Sequence, residues 1–371
     1  MVEFKDLTLR EGSQVPDLRI SDEQGRRVIE SLARLDVSCV ELSFPRAQER
    51  AGWYRHADDL GLRTAALARA TPGDVDAALA VDPDEVEIII TSSDVQLEHA
   101  LGKSRDEARA LLVENVRRVT GAGTTAGATL MDAMRADVDF LVECARAAVD
   151  AGAAHVTLAD TTGAGTTDRV HTVVAAVGDA IGDDAAVAIH THDDMGVATA
   201  NATTGVTAGA TRVDATIGGI GERAGNAPLE EVAVYLTERG DDLHLDVDEL
   251  VPAAQSVHQT LDVDVSPDKP VIGDRAYKHE SGLHTAAMLR EPWTYMPFDP
   301  STYGASNQLL FGEETGRGAV RALLESLDVD ATDESVAVAL EEIHDRAARA
   351  DGPLSLEETR ELLTDRFGTD A

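Results

Sequence analysis

Basic residues are scarce: 32 lysines and arginines stand against 68 aspartates and glutamates in 371 residues, a formal net charge of -36. That charge repels phosphate backbones and anionic bilayers, which excludes nucleic acid and membrane surfaces as partners. Cysteine is nearly absent. Cys39 and Cys144 lie far apart in apolar contexts, so neither a disulfide framework nor a thiolate metal site is available, and a reducing compartment is expected. No apolar run approaches the roughly 18 residues of a membrane span, and MVEFKDLTLREG lacks the basic and apolar regions of a leader, so the expected location is cytoplasmic. Highly charged chains are often disordered, but 43% hydrophobic residues set in regular blocks point to a folded core. The acidic residues are scattered over every segment, as suits a halophilic protein kept soluble at high ionic strength.

What is present is a beat. Short β-branched runs at 4–9, 37–42, 62–67, 86–91, 126–131, 155–159, 186–189 and 212–216 alternate with amphipathic segments such as 21–35, 104–120 and 136–151. Eight such units predict an α/β fold of the (β/α)8 TIM-barrel type over residues 1–238. A doubly wound sheet is the rival, disfavoured because LREGSQ stands where a Gly-rich dinucleotide loop would follow the first strand. Residues 239–311, with Pro292, Pro297, Pro300 and Gly304, read as a linker and a small mixed lobe. Residues 312–371 return to helical periodicity as a C-terminal helical segment.

Chemistry concentrates at strand ends. In HTHDDMG (190–196), His190 and His192 are two apart and project to one side of a strand, where two imidazoles can share a metal. A pair of polar residues closing a strand is the bland alternative. Arg10 and Glu11 after strand one, and GGIGERAGN (218–226) after strand eight, add a carboxylate and an amide from neighbouring strands of a closed barrel. Mixed nitrogen and oxygen donors without thiolate leave Mg²⁺, Mn²⁺ and Zn²⁺ open.

Four motifs in order, DLTLREGSQ (6–14), HTHDDMGVATAN (190–201), GGIGERAGNAPLE (218–230) and KHESGLH (278–284), resemble the 2-isopropylmalate, homocitrate and citramalate synthase family. These are metal-dependent barrels that condense acetyl-CoA with a 2-oxo acid, and the likeness runs through Gly304. It implies that Glu11, His190, His192 and Asn226 are the metal ligands; Arg10, next to one of them, is placed to stabilise the alkoxide such a condensation develops. It assigns the base to His284, supported by Glu222 and Tyr295, and oxo-acid contacts to Thr161 and Arg135. His284 and Tyr295 come from the lobe, which in this family reaches over a partner's barrel, so a homodimer is expected. An HMG-CoA-lyase-like aldol lyase is the competing class.

The chain departs from the family at several places. Glu11 stands where most isopropylmalate-synthase-like members have Asp, as in some homocitrate synthases; Met131 replaces a glutamate and Gln96 a histidine. GEETG (312–316) stands for GKHSG. The expected activity leans to 2-isopropylmalate synthesis in leucine-type amino-acid biosynthesis, with homocitrate and citramalate synthesis as alternatives. The roughly 60 residues after Phe311 are shorter than the leucine-binding domain of many such synthases, so feedback through that domain is not expected. Arg46, Arg69, Lys103 and Arg275 are candidates for the CoA phosphates, with solvated surface positions as the alternative.

Overall fold

The computed structural model describes residues 1–47, 50–350 and 352–368. Eight parallel strands form its centre: β1 (Val2–Asp6), β2 (Cys39–Ser43), β3 (Thr64–Arg69), β4 (Glu85–Thr91), β5 (Thr125–Met131), β6 (His155–Asp160), β7 (Ala186–Thr191) and β8 (Arg212–Ala215). Each pairs with the next, and β1 pairs with both β8 and β2, which closes the barrel. The expected (β/α)8 architecture is therefore present. Helices cover the outside, several with starts written in the sequence. Ser21 and Ser104 each form a capping box, with Gln24 and Glu107, and Thr71 caps a helix that begins at Pro72.

Alternation along the strands sorts side chains between two environments. On β4, Val86, Ile88 and Ile90 pack outward against helices while Glu85, Glu87 and Ile89 point into the barrel. Lys5, Arg212 and Asp214 are inward and buried in the same way. An interior of this kind usually holds branched apolar side chains; here much of it is charged.

One strand is shorter than expected. The run 4–9 reads as continuous β, yet β1 stops at Asp6, whose carboxylate accepts hydrogen bonds from the Thr8 backbone N–H (2.9 Å) and Thr8 Oγ1 (2.8 Å). This local turn competes with the ladder and starts the short helix Thr8–Gly12. Arg10 and Glu11 thus sit on a helical turn above the barrel.

The chain divides into two compact units, Met1–Val265 and Ser266–Ala371. The segment after 238, read from sequence as linker, folds largely onto the first unit. Leu243–His244 pairs with β1, and the helix Leu250–Leu261 lies against Asp22–Arg34, joined by Gln24 to the Thr260 carbonyl (2.9 Å) and Ser31 to Ser256 (3.0 Å). In the second unit, Gln308–Phe311 pairs with Lys278–His279 on one side and Leu354–Ser355 on the other. Phe311, Leu323, Leu324, Val336, Ile343 and Leu363 form one core, so the small lobe and helical tail, separated at 311/312 in the sequence reading, are one structure.

Helix Asp22–Arg34 meets helix Ala51–Asp59 through Gly25, where an added Cβ would stand 2.3 Å from two ring atoms of the buried Trp53. Overpacking costs about 1–3 kcal/mol, against the roughly 1 kcal/mol alanine gains over glycine in a helix. Gly25→Ala is therefore expected to lower the urea midpoint, and a raised midpoint would show that Trp53 can move aside.

Candidate metal and substrate site

The site lies at the C-terminal ends of the strands, where barrels of this type keep their reactive groups. Its cavity, of about 140 Å³, is lined by Arg10, Glu11, His190, His192, Thr161 and Glu222 among others. His190 is the penultimate residue of β7 and His192 follows the strand; their Nε2 atoms face each other at 3.3 Å. Glu11 Oε1 is 3.6 Å from His190 Nε2, and the Asn226 side-chain amide is 3.2 Å from the same nitrogen. A glycine-rich loop holds Asn226 in place. A Cβ on Gly221 would come within 1.9 Å of Asn226 Oδ1, and Gly218, Gly219 and Gly225 all adopt positive φ.

This donor set fits a divalent cation. Glu11 Oε2, His192 Nδ1 and Asn226 Oδ1 are buried without a hydrogen-bond partner, although buried polar atoms are normally paired. Glu11, His190 and His192 bring their ligand atoms within 4.8 Å of one another. Two opposed imidazole nitrogens beside an unsatisfied carboxylate and an unsatisfied amide oxygen have the character of a nitrogen and oxygen coordination shell.

The electrostatics agree. Burial alone would raise the Glu11 carboxyl, but Arg10 and the two histidines hold it below its ordinary range. Burial, reinforced by His190, pushes the His192 imidazole from 6.5 to about 4, so it is neutral near pH 7, the form in which an imidazole can ligate a metal. Below the site, five carboxylates (Glu11, Glu41, Glu85, Glu87, Asp214) meet three cations (Lys5, Arg10, Arg212). Arg63 adds a longer contact to Glu85 at 3.7 Å from the outside, and the described cluster remains rich in carboxylates, a setting that favours a cation.

The remaining residues singled out in the sequence fall into three groups. Thr161 lines the cavity and its Oγ1 accepts the Asp132 backbone N–H at 2.8 Å. Glu222 lines it too, 3.2 Å from Arg223. Arg135 does not line it: its guanidinium folds back on the buried Asp132 at 2.7 and 2.8 Å. The turn Ala133–Arg135 presents this side chain to Asp132. Met131 does line the cavity, whereas Gln96 accepts from Thr91 Oγ1 and does not. His284 and Tyr295 belong to the second unit, where their rings stack at 3.9 Å. Arg46, Arg69, Lys103 and Arg275 each stand beside a carboxylate, at Asp74, Asp74, Glu107 and Asp268.

Sequence reasoning missed Glu41, Glu87, Asp214 and Lys5. The available signal was period-two placement of charge inside otherwise apolar strands, as in EVEIIIT (85–91).

A closed (β/α)8 barrel with a buried carboxylate, imidazole and amide cluster at its C-terminal face is the frame of a barrel enzyme whose donor set could hold a cation. The chain belongs to the HMGL-like family, whose sequence profile matches residues 1–257. Residues 271–351 match the homocitrate synthase post-HMGL domain-like profile. Among its relatives, Homocitrate synthase AksA of Methanopyrus kandleri is 37% identical over 98% of this chain and 93% of its own length. The 2-isopropylmalate synthase of Pyrococcus abyssi is 34% identical over 93% and 74% respectively. The crystal structure of Bacillus subtilis HMG-CoA lyase superposes with a TM-score of 0.61 at 23% identity, covering 70% of this chain and 94% of that one, a likeness of fold.

The depressed His192 value has a direct consequence for the chelator-treated protein. A histidine neutral in the fold but protonated at 6.5 when unfolded contributes stability above 6.5 that is lost as pH falls toward 4. Between pH 7 and 4.5 the wild type should lose about 2 kcal/mol more than His192→Gln in urea unfolding. Equal losses would mean that His192 protonates freely in the folded state.

Proposed function

We propose that the protein is an acyltransferase that condenses acetyl-CoA with a 2-oxo acid bearing an apolar side chain, of the 2-isopropylmalate synthase type. The observation behind this reading is the clustering of Glu11, His190, His192 and Asn226 around unsatisfied buried donor atoms, in a chain whose relatives are such synthases.

A divalent cation held by these four residues would polarise the keto carbonyl of the 2-oxo acid. Arg10, the one lysine or arginine among the described residues lining the cavity, is fixed by Glu41 (Nε to Oε1, 2.6 Å) and by Glu11. Its guanidinium is placed to donate to the oxygen on which negative charge develops. Thr161 offers a hydroxyl for the oxo-acid carboxylate. The described wall is otherwise apolar at Leu67, Ile89, Met131 and Ala159, uncharged and polar at Gln14 and Thr129, and acidic at Glu41, Glu87 and Asp214. A distal carboxylate such as that of 2-oxoglutarate would find no free cation among the described lining residues, which favours 3-methyl-2-oxobutanoate over the homocitrate-type substrate. Citramalate synthesis from pyruvate is the next alternative on this wall.

The proton of the acetyl methyl group requires a base, and this role is proposed for His284, with Tyr295 stacked on it and Glu222 at the cavity rim. The reading includes a homodimer in which one copy's lobe serves the other's barrel. Its support is the exposure of Leu283 (71%) and Trp293 (59%) next to His284 and Tyr295, since large apolar side chains clustered on a surface mark an interface.

The test is release of free CoA from acetyl-CoA with Mn²⁺ or Mg²⁺ and, separately, 3-methyl-2-oxobutanoate, 2-oxoglutarate or pyruvate. The expected signal appears with the first and disappears on chelation. Cleavage of 3-hydroxy-3-methylglutaryl-CoA without any condensation would transfer the assignment to the lyase class.

His284→Ala should retain Mn²⁺ binding and lose at least about 100-fold in kcat, the lower range for general acid–base catalysis. Mixing it with His192→Ala under subunit exchange should restore part of the activity. Normal turnover by His284→Ala would refute its role as the base.

A further inference from the structure

Lys5 is fully buried in the barrel interior and does not line the cavity. Its ammonium has three donors, and three carboxylates surround it: Glu87 at 3.1 Å, Asp214 at 3.3 Å and Glu41 at 3.4 Å. Two of these lead directly into the site. Glu41 accepts from Arg10 Nε at 2.6 Å, and Arg10 in turn donates to Glu11. Asp214 Oδ2 lies 3.5 Å from His190 Nδ1, the nitrogen opposite the Nε2 that faces His192 and Asn226. A carboxylate behind a ligating histidine sets its tautomer and ring orientation, and its loss weakens metal sites. Burial alone would remove the Lys5 proton, but the three carboxylates keep the ammonium charged. The third, Glu87, is anchored separately by His155 at 2.7 Å.

We propose that Lys5 is a positioning residue: from beneath the cavity it holds Asp214 against His190 and Glu41 against Arg10, setting metal affinity and substrate polarisation together. This rests on the condensing reading above for its kinetic part, but its metal-binding part stands without it. The alternative is that Lys5 only neutralises buried charge so that the barrel folds.

The two are separable because Glu87 reaches no ligand in the chain of contacts above. Lys5→Met alone strands three carboxylates and can fail to fold for that reason. Lys5→Met/Glu87→Gln removes one positive and one negative charge, leaving the interior balance as in the wild type, and the single Glu87→Gln serves as its reference. If Lys5 positions the site, the folded double variant binds Mn²⁺ about tenfold more weakly than Glu87→Gln by calorimetry. Its kcat falls by a similar factor, while KM for acetyl-CoA stays within about twofold because Lys5 lies away from the cavity surface. Mn²⁺ affinity and kcat both within about twofold of Glu87→Gln would overturn the proposal and leave Lys5 as a charge balance. A wild-type protein that releases no CoA with any oxo acid would defeat the condensing reading, and the Mn²⁺ titrations would still decide the role of Lys5.

Discussion

The whole site depends on keeping carboxylates ionised where water is scarce. Glu11, Glu41, Glu85, Glu87 and Asp214 are each about 1–3% exposed, and an isolated buried charge costs several kcal/mol. Their pairing is systematic: Arg212 takes Glu85 at 2.7 Å, Lys5 joins Glu41, Glu87 and Asp214, and Arg10 joins Glu11 and Glu41. Such a network is a poor source of stability compared with apolar packing. What it provides is a set of fixed charges, oriented before any ligand arrives, beneath a cavity that opens at the strand ends.

The parts that meet at the cavity are held by different means. Glu11 and Arg10 ride on a helical turn begun by the Asp6 and Thr8 hydrogen bonds, and Thr8 Oγ1 also accepts the Ile217 backbone N–H at 2.8 Å, tying this turn to the loop after β8. His190 is locked by the ladder of β7, whereas Asn226 is placed by a bridge to His192 and by glycines that leave no room for a side chain. Strand, turn and loop converge because β1, β7 and β8 are contiguous in the closed sheet.

Much of this arrangement is legible in the sequence, for reasons that can be named. Buried parallel strands are β-branched and short, so the eight-fold beat and the HTH placement at the end of β7 stand out, and the adjacency of β1, β7 and β8 follows from closure alone. The end of β1 is not legible by periodicity, because LTL continues an apolar alternation that the Asp6 side chain interrupts through hydrogen bonds. The pairing of Arg135 is not legible by periodicity either: a basic residue near a strand end looks unpartnered, yet Asp132 three positions earlier pairs with it. The charged interior escapes notice because Lys5, Glu85 and Glu87 resemble the polar positions of a half-exposed strand. Only the helices on the outer face of the sheet reveal that the other face points inward. The division after Val265 escapes as well, since the helix Leu250–Leu261 is joined to the barrel by contacts more than 200 residues apart in sequence.

The same network bears on where the proton of the acetyl group goes. A useful base needs an affinity for protons near the working pH, and the carboxylates lining the floor are poor candidates. Lys5 holds Glu87 and Asp214 well into the ionised state despite burial, and Arg10 does so for Glu11. His192, held neutral down to about pH 4, resists becoming an imidazolium, as suits a ligand and not a base. Among the described residues lining the cavity, Glu41 is committed to Lys5 and Arg10, and His190 to Asp214, His192 and Asn226, while Glu222 is paired with Arg223. A barrel whose charges are committed to one another in this way has little basicity to spare for a carbon acid. On the proposed reading, an imidazole from outside the barrel such as His284 would supply the proton acceptor without disturbing these fixed charges.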